Sequence, residues 1–159
     1  MTPGPVTRAL IMLLALTANI ANAAHHADRC PNQQAAQAAV VAVMTELYSA
    51  ARVDDLNRLR ELVAPDFYAF DGGKQFVGAS LFDYIRDLHS SGLQTEWHVG
   101  PADVHVHCAA AWITYINAGA IGAAGAMKPV SWLESAILEY RQGRWRLRFL
   151  HSTRAADTS

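Results

Sequence analysis

Residues 132–154 read WLESAILEYRQGRWRLRFLHSTR. Two alternating runs flank Gln142-Gly143, a natural two-residue hairpin turn. Counting outward pairs Arg141 with Arg144, Tyr140 with Trp145, Glu139 with Arg146 and Leu138 with Leu147. Further out come Ile137 with Arg148, Ala136 with Phe149, Ser135 with Leu150 and Glu134 with His151. A slip of one residue would mix the faces, so the hydrophobic pattern selects this register. A three-residue loop with a bulge at Gly143 is the alternative. In the two-residue register Tyr140, Leu138, Ala136, Trp145, Leu147 and Phe149 share a face with Glu134 and His151, while Glu139, Arg146 and Arg148 lie on the other.

A carboxylate on an apolar face is costly unless it is paired or wet. The face is therefore expected to line a pocket, with Glu134 and His151 opposed at a Cβ separation of about 4.5–5.5 Å. Such a pair would share coupled protons and could act as a general acid–base dyad. The plainer alternative is a half-exposed cross-strand pair at the end of a hairpin.

Upstream of the hairpin the periods change twice. Val40, Met44, Leu47, Tyr48 and Ala51 recur at helical spacing and predict a helix over 31–53. Asp54-Asp55 can cap a second helix that buries Leu56, Leu59, Leu62 and Val63 and stops at Ala64-Pro65. Phe67–Phe70 and Lys74–Val77 read as a small hairpin around Asp71-Gly72-Gly73. A third helix is expected over Ser80–His89. Beyond it, Thr95–Val99, Asp103–His107 and Ala111–Asn117 carry strand signals. Ala118–Ala126, rich in Gly and Ala, reads as a flexible connection. The class is α+β: helices first, then a curved antiparallel sheet with the helices on one face.

The start of the chain belongs to a different category. Arg8, the apolar run Ala9–Ala18 and Ala21-Asn22-Ala23 form a secretory signal-peptide pattern over 1–23. An uncleaved anchor is the alternative. A flexible mature N-terminus over 24–34, one domain over 35–154 and a disordered tail over 155–159 would follow. The expected location is periplasmic or secreted, with no membrane association after cleavage. Two cysteines, Cys30 and Cys108, permit one disulfide in an exported chain. The formal charge of −1 gives no basic surface for nucleic acid.

The segments "SWLESAILEY" and "GRWRLRFLHSTR" resemble the C-terminal hairpin of SnoaL-like proteins of the nuclear transport factor 2-like superfamily. They are also similar to the association domain of calcium/calmodulin-dependent kinase II, which has a Gly-Lys-Trp hairpin matching Gly143 and Trp145. That domain carries a Glu and a His at the positions of Glu134 and His151. "VHVHCAAAWITYINAG" is similar to its preceding strands, and the resemblance spans nearly all of 35–154. It implies a cone-shaped fold, in which three N-terminal helices pack on the curved sheet, and a pocket at one end. It also implies a homodimer formed through the sheet. A pocket arginine of the kinase domain falls near Asn117 here, a departure from an anion site.

"APDFYAFDGG" resembles the segment that carries the general base of ketosteroid isomerases and related dehydratases, and places Asp71 at that position. Tyr48 falls within one residue of their oxyanion tyrosine, whereas Ala136 stands where their second donor would be. For Asp71 a plain turn role before two glycines is the competing reading.

Three functions follow as expectations: an exported domain binding a small organic molecule, an isomerase, dehydratase or cyclase using Glu134–His151 or Asp71, or a non-catalytic oligomerising module. Tyr48, Trp97, Tyr115 and Asn117 are the candidate substrate-binding residues, with Trp112 as a further candidate for the pocket wall. His105 and His107 with Asp103 have a zinc-like spacing, but Val104 and Val106 claim the inward face and turn the histidines outward. No metal is expected. No phosphate loop or nucleophile elbow occurs, so no cofactor is expected either.

Overall fold

The computed structural model describes residues 30–156. The signal peptide expected over 1–23, most of the N-terminal segment and the last residues of the tail lie outside the described residues. Neither Cys30 nor Cys108 carries a free thiol. Among the described residues no helix is long and apolar enough to cross a membrane.

Helix α1 runs Gln33–Arg52. Asn32 caps it by accepting a hydrogen bond from the Ala35 amide at 3.1 Å, which satisfies one of the orphan N–H groups of the first turn. Its stripe of Ala36, Val40, Met44, Leu47, Tyr48 and Ala51 is buried. Helix α2 is Leu56–Leu62, capped by Asp55. It ends one residue earlier than its apolar pattern predicts, because Val63 already begins strand β1, Val63–Asp71. Strand β2 is Lys74–Val77 and helix α3 is Ser80–Ser90. Three long strands and the last one follow: β3 Leu93–His107, β4 Ala110–Ala123, β5 Lys128–Arg141 and β6 Arg144–Arg154.

The six strands form one sheet in the order β2-β1-β6-β5-β4-β3. Every neighbouring pair is antiparallel except β1 and β6, which run parallel. The sheet is therefore mixed rather than purely antiparallel. Helix α1 packs on the concave side, and Phe67, Met44, Leu47, Ile113, Leu138 and Leu147 are fully buried between the layers. Removing side chains of this size from water stabilises by roughly 1.5–3 kcal/mol each.

Two expectations about the strands change. The Gly-Ala stretch is not a loose connection, since β4 continues to Ala123 and only the residues before Lys128 turn. Gly119 explains this. A Cβ there would lie 1.8 Å from the Glu96 carbonyl oxygen on β3. Glycine thus lets two backbones approach where a larger residue would separate them.

The second change concerns the final hairpin. Its turn is as expected: Gln142 and Gly143 both have positive φ, 53° and 78°, the pattern of a type I′ turn. The register also holds from Arg141↔Arg144 to Leu138↔Leu147. It then shifts, and Ile137 pairs with Phe149. Arg148 is the extra residue of a β-bulge, so two residues of β6 face one of β5. Beyond it the pairs are Ala136↔Leu150, Ser135↔His151 and Glu134↔Ser152. A one-residue offset exchanges the faces of all that follows. The Glu134–His151 pair is therefore not formed: Glu134 is buried, while His151 is exposed on the convex face beside Phe70. Phe149 turns outward with it, and Leu150 takes its place in the core.

Candidate functional site

Glu134 sits in the middle of β5 on the concave face and is 5 % exposed. The strand register places it in a row that crosses four strands. Asp71 on β1 faces Ser152 on β6, Ser152 faces Glu134, and Glu134 faces Tyr115 on β4. Helix α1 adds Tyr48 from above. Polar groups of α1, β4 and β6 thus converge on one carboxyl.

Their contacts are directional. The Tyr48 hydroxyl donates to Glu134 Oε2 at 2.5 Å, and Asn117 Nδ2 donates to the same oxygen at 3.3 Å. The Ser152 hydroxyl donates to Oε1 at 3.1 Å. Tyr115 donates to the Tyr48 oxygen at 3.4 Å and also lies close enough to the Glu134 carboxyl to act on it. Asn117 is fully buried, and its Oδ1 accepts the His98 amide at 2.8 Å. One end of its amide closes β3 against β4, and the other reaches the carboxyl.

Among the described residues no lysine or arginine hydrogen-bonds Glu134, and its chemistry reflects that. Burial pushes the Glu134 carboxyl above its usual range, and the hydrogen bonds from its neighbours only partly offset the shift. Burial, and then the neighbouring Tyr115 and Glu134, push the Tyr48 hydroxyl well up, so it stays protonated and a donor. Burial likewise raises Tyr115. Half-buried Asp71 is raised by desolvation, against the Gly72 amide, the Ser152 hydroxyl and the His151 charge. A carboxylate offers about four acceptor positions. Three are taken, two on Oε2 and one on Oε1, and the nearby Tyr115 hydroxyl also favours the charged form.

Glu134 lines a cavity of about 270 Å³. Tyr48, Asp71, Glu134 and Ser152 form its polar side. Trp97, Trp132, Phe76, Tyr84, Leu81 and Leu150 form most of the apolar remainder. Trp97 packs against Tyr48 at 5.6 Å and against Trp132 at 6.4 Å between ring centroids. Lys74 also reaches the cavity, with its ammonium 5.1 Å from the Tyr84 ring centroid. A pocket with apolar walls and a few convergent polar groups has the general form of a small-molecule site.

The structure brings together Glu134, Asp71, Tyr48, Trp97, Tyr115 and Asn117 of the residues singled out by sequence. It separates His151 and Trp112, which lie on the convex face. His105 is also outside, stacked on Trp112 at 4.8 Å and bonded to Asp103 at 2.9 Å. Sequence reasoning missed Ser152, Thr95 and Trp132. Ser152 was hidden by the bulge. Leu147 and Leu150, three apart instead of two, are its trace in the sequence. Phe149 beside Leu150 leaves that trace ambiguous, because either can be buried.

Comparison with known proteins agrees with this architecture. The family model described as SnoaL-like domain matches residues 40–156. No curated protein matches the chain. Among solved structures, a candidate dehydratase of the NTF2-like family from Streptomyces avermitilis superposes with a TM-score of 0.68. It is 14% identical, and the match covers 77% of this chain and 98% of that one. The association domain of C. elegans CaMKII gives 0.64 at 19% identity, covering 76% and 97%. An NTF2-like protein with a cystatin-like fold from Novosphingobium aromaticivorans gives 0.64 at 18% identity, covering 89% and 91%. At these identities the similarity is one of fold. With the family match spanning most of the described residues, the chain belongs to the SnoaL-like domain family.

Proposed function

We propose that the concave cavity binds a small, mainly apolar organic molecule through a hydroxyl or carbonyl group placed at Glu134. The observation that carries this reading is the buried carboxyl that lines an aromatic-walled cavity. When ionised, the carboxyl accepts a hydroxyl proton from the ligand. When protonated, as burial favours, it donates to a carbonyl. The aromatic walls supply apolar contact area without asking for further polar partners.

Ligand screening by native mass spectrometry tests this. A panel of cyclic alcohols and ketones should give retained complexes, and Glu134→Gln should weaken the alcohols more than the ketones, since the amide keeps a donor but loses the charge. Equal weakening of apolar and polar ligands by Glu134→Gln would overturn the assignment of Glu134 as the anchor.

A second reading is favoured by Asp71. Two carboxyls with raised proton affinity flank one Ser152 hydroxyl. An isomerase- or dehydratase-type proton transfer could use Asp71 to take a proton and Glu134 to supply one. Turnover lost in both Asp71→Asn and Glu134→Gln, with ligand retained in the first, would favour this over binding alone.

Assembly and export complete the proposal. The convex face supports a homodimer formed through the sheet, and residues 1–23 support export to the periplasm or the medium. N-terminal sequencing of the secreted protein should begin at Ala24.

A further inference from the structure

A second hydrogen-bonded chain reaches the same cavity through Thr95. Asp54 lies in the connection between α1 and α2, His89 in the last turn of α3, and Thr95 on β3. His89 Nδ1 is 2.8 Å from Asp54 Oδ1, and Nε2 is 2.7 Å from Thr95 Oγ1. An ionised carboxylate only accepts, so Nδ1 carries the hydrogen. In the neutral ring Nε2 is then a bare acceptor, and the Thr95 hydroxyl donates to it. Orienting acid, base and hydroxyl stand in the order that activates an oxygen nucleophile.

Three placements bear on use rather than on packing alone. Thr95 lines the cavity, and so does Trp97 two residues along the strand, which packs on the His89 ring at 6.5 Å. The His89 and Thr95 groups are largely withdrawn from solvent, with a His89 side-chain exposure of 14% and Thr95 6% exposed. Asp54 has a φ of 54°, held by hydrogen bonds from its amide to Ala51 O and to its carbonyl from the Leu56 amide. Few residues other than glycine accept that conformation, and Asp does so more readily than most.

We propose that Asp54, His89 and Thr95 make the Thr95 hydroxyl a nucleophile toward small carboxylic esters that enter the cavity. Oγ1 forms a bond to the ester carbonyl carbon as its proton passes to His89 Nε2. The carbon–oxygen bond to the alcohol portion breaks, and the departing alkoxide takes that proton. Water, giving a proton to Nε2, then attacks the threonyl ester. Acid is released, and the Thr95 oxygen recovers its hydrogen from Nε2. The net change is ester plus water to acid plus alcohol. Asp54 orients the ring and stabilises its protonated form throughout.

The full chain treated with 4-nitrophenyl acetate tests this without knowledge of a natural substrate. Peptide mapping should locate an acetyl group on Thr95, accompanied by release of 4-nitrophenolate. Thr95→Val should abolish that label and Thr95→Ser should keep it. His89→Gln and Asp54→Asn should each slow it by at least about tenfold, whereas His105→Gln, on the convex face, should leave it unchanged. Thermal melts of each variant separate loss of labelling from loss of fold, and Asp54→Asn decides if His89→Gln does not fold. Acetylation confined to other residues, or labelling of Thr95 at equal rates in folded Asp54→Asn and wild type, would overturn the proposal. Because the readout is a covalent mark on Thr95, it is independent of whether Glu134 binds a ligand.

Discussion

At the scale of single residues, the protonation of Glu134 couples to folding. Its carboxyl is raised in the folded protein by burial. The folded state therefore holds more protons than the unfolded chain between the unfolded carboxyl value, about pH 4, and the folded one. Stability must fall as pH rises through that window and be unaffected by this group below it. In thermal melts from about pH 4 to about pH 8, the difference between Glu134→Gln and wild type should move in favour of the variant as pH rises. Parallel curves would show that the carboxyl ionises as freely folded as unfolded. That Glu134 lines a pocket was legible from sequence, because a carboxylate among apolar strand residues demands a compensating environment. Which residue answers it was not legible. Ser152 and Asn117 are small or neutral and carry no conspicuous signal, whereas His151 does and lies on the other side of the sheet.

Among the elements, the hairpin shows how one residue redirects a reading. Helices and strands follow from period and punctuation, and those expected between Gln33 and Arg154 have counterparts, except that Thr95–Val99 and Asp103–His107 are joined in the single strand β3. A bulge alters neither period nor composition enough to be read, yet it changes which side chains enter the cavity. Deleting Arg148 should remove the extra residue while keeping Ile137 opposite Phe149 and Ser152 on the concave face. Its ion pairs with Glu139 and Asp66 are partly exposed and screened by solvent, so urea denaturation should show a folded variant with only a small loss of stability. Failure of that variant to fold would mean that the bulge is required by β1, whose own pairing with β6 is irregular between Val63 and Tyr68. Gly119 gives a sharper expectation. Gly119→Ala forces apart β3 and β4 at Glu96 and should cost about 1–3 kcal/mol in the same measurement. A neutral result would show that the strands slide apart without penalty.

Across the whole molecule the convex face mirrors the polar row with an apolar one. Trp112, Ile137, Phe149 and Tyr68 are successive register partners on β4, β5, β6 and β1. Trp112 and Ile137 are 50% and 46% exposed, and Ile116 and Leu133, also paired, are 54% each. Contiguous apolar surface of this kind suits an association site, and we propose that this face forms one. Sedimentation should show a homo-oligomer for the wild type and a monomer for Ile137→Glu. A monomeric wild type would remove the case for association through this face.

Finally, the strand order has a consequence for how the protein is made. Strand β6, the last strand of this sheet in chain order, lies between β1 and β5 and, among the described residues, joins β1–β2 to β3–β5 within the sheet. Until residues 144–154 have left the ribosome, the nascent chain can hold two separate β pieces but no shared floor. The hollow around Glu134 then arises in a single late event, when the final strand docks on both edges at once.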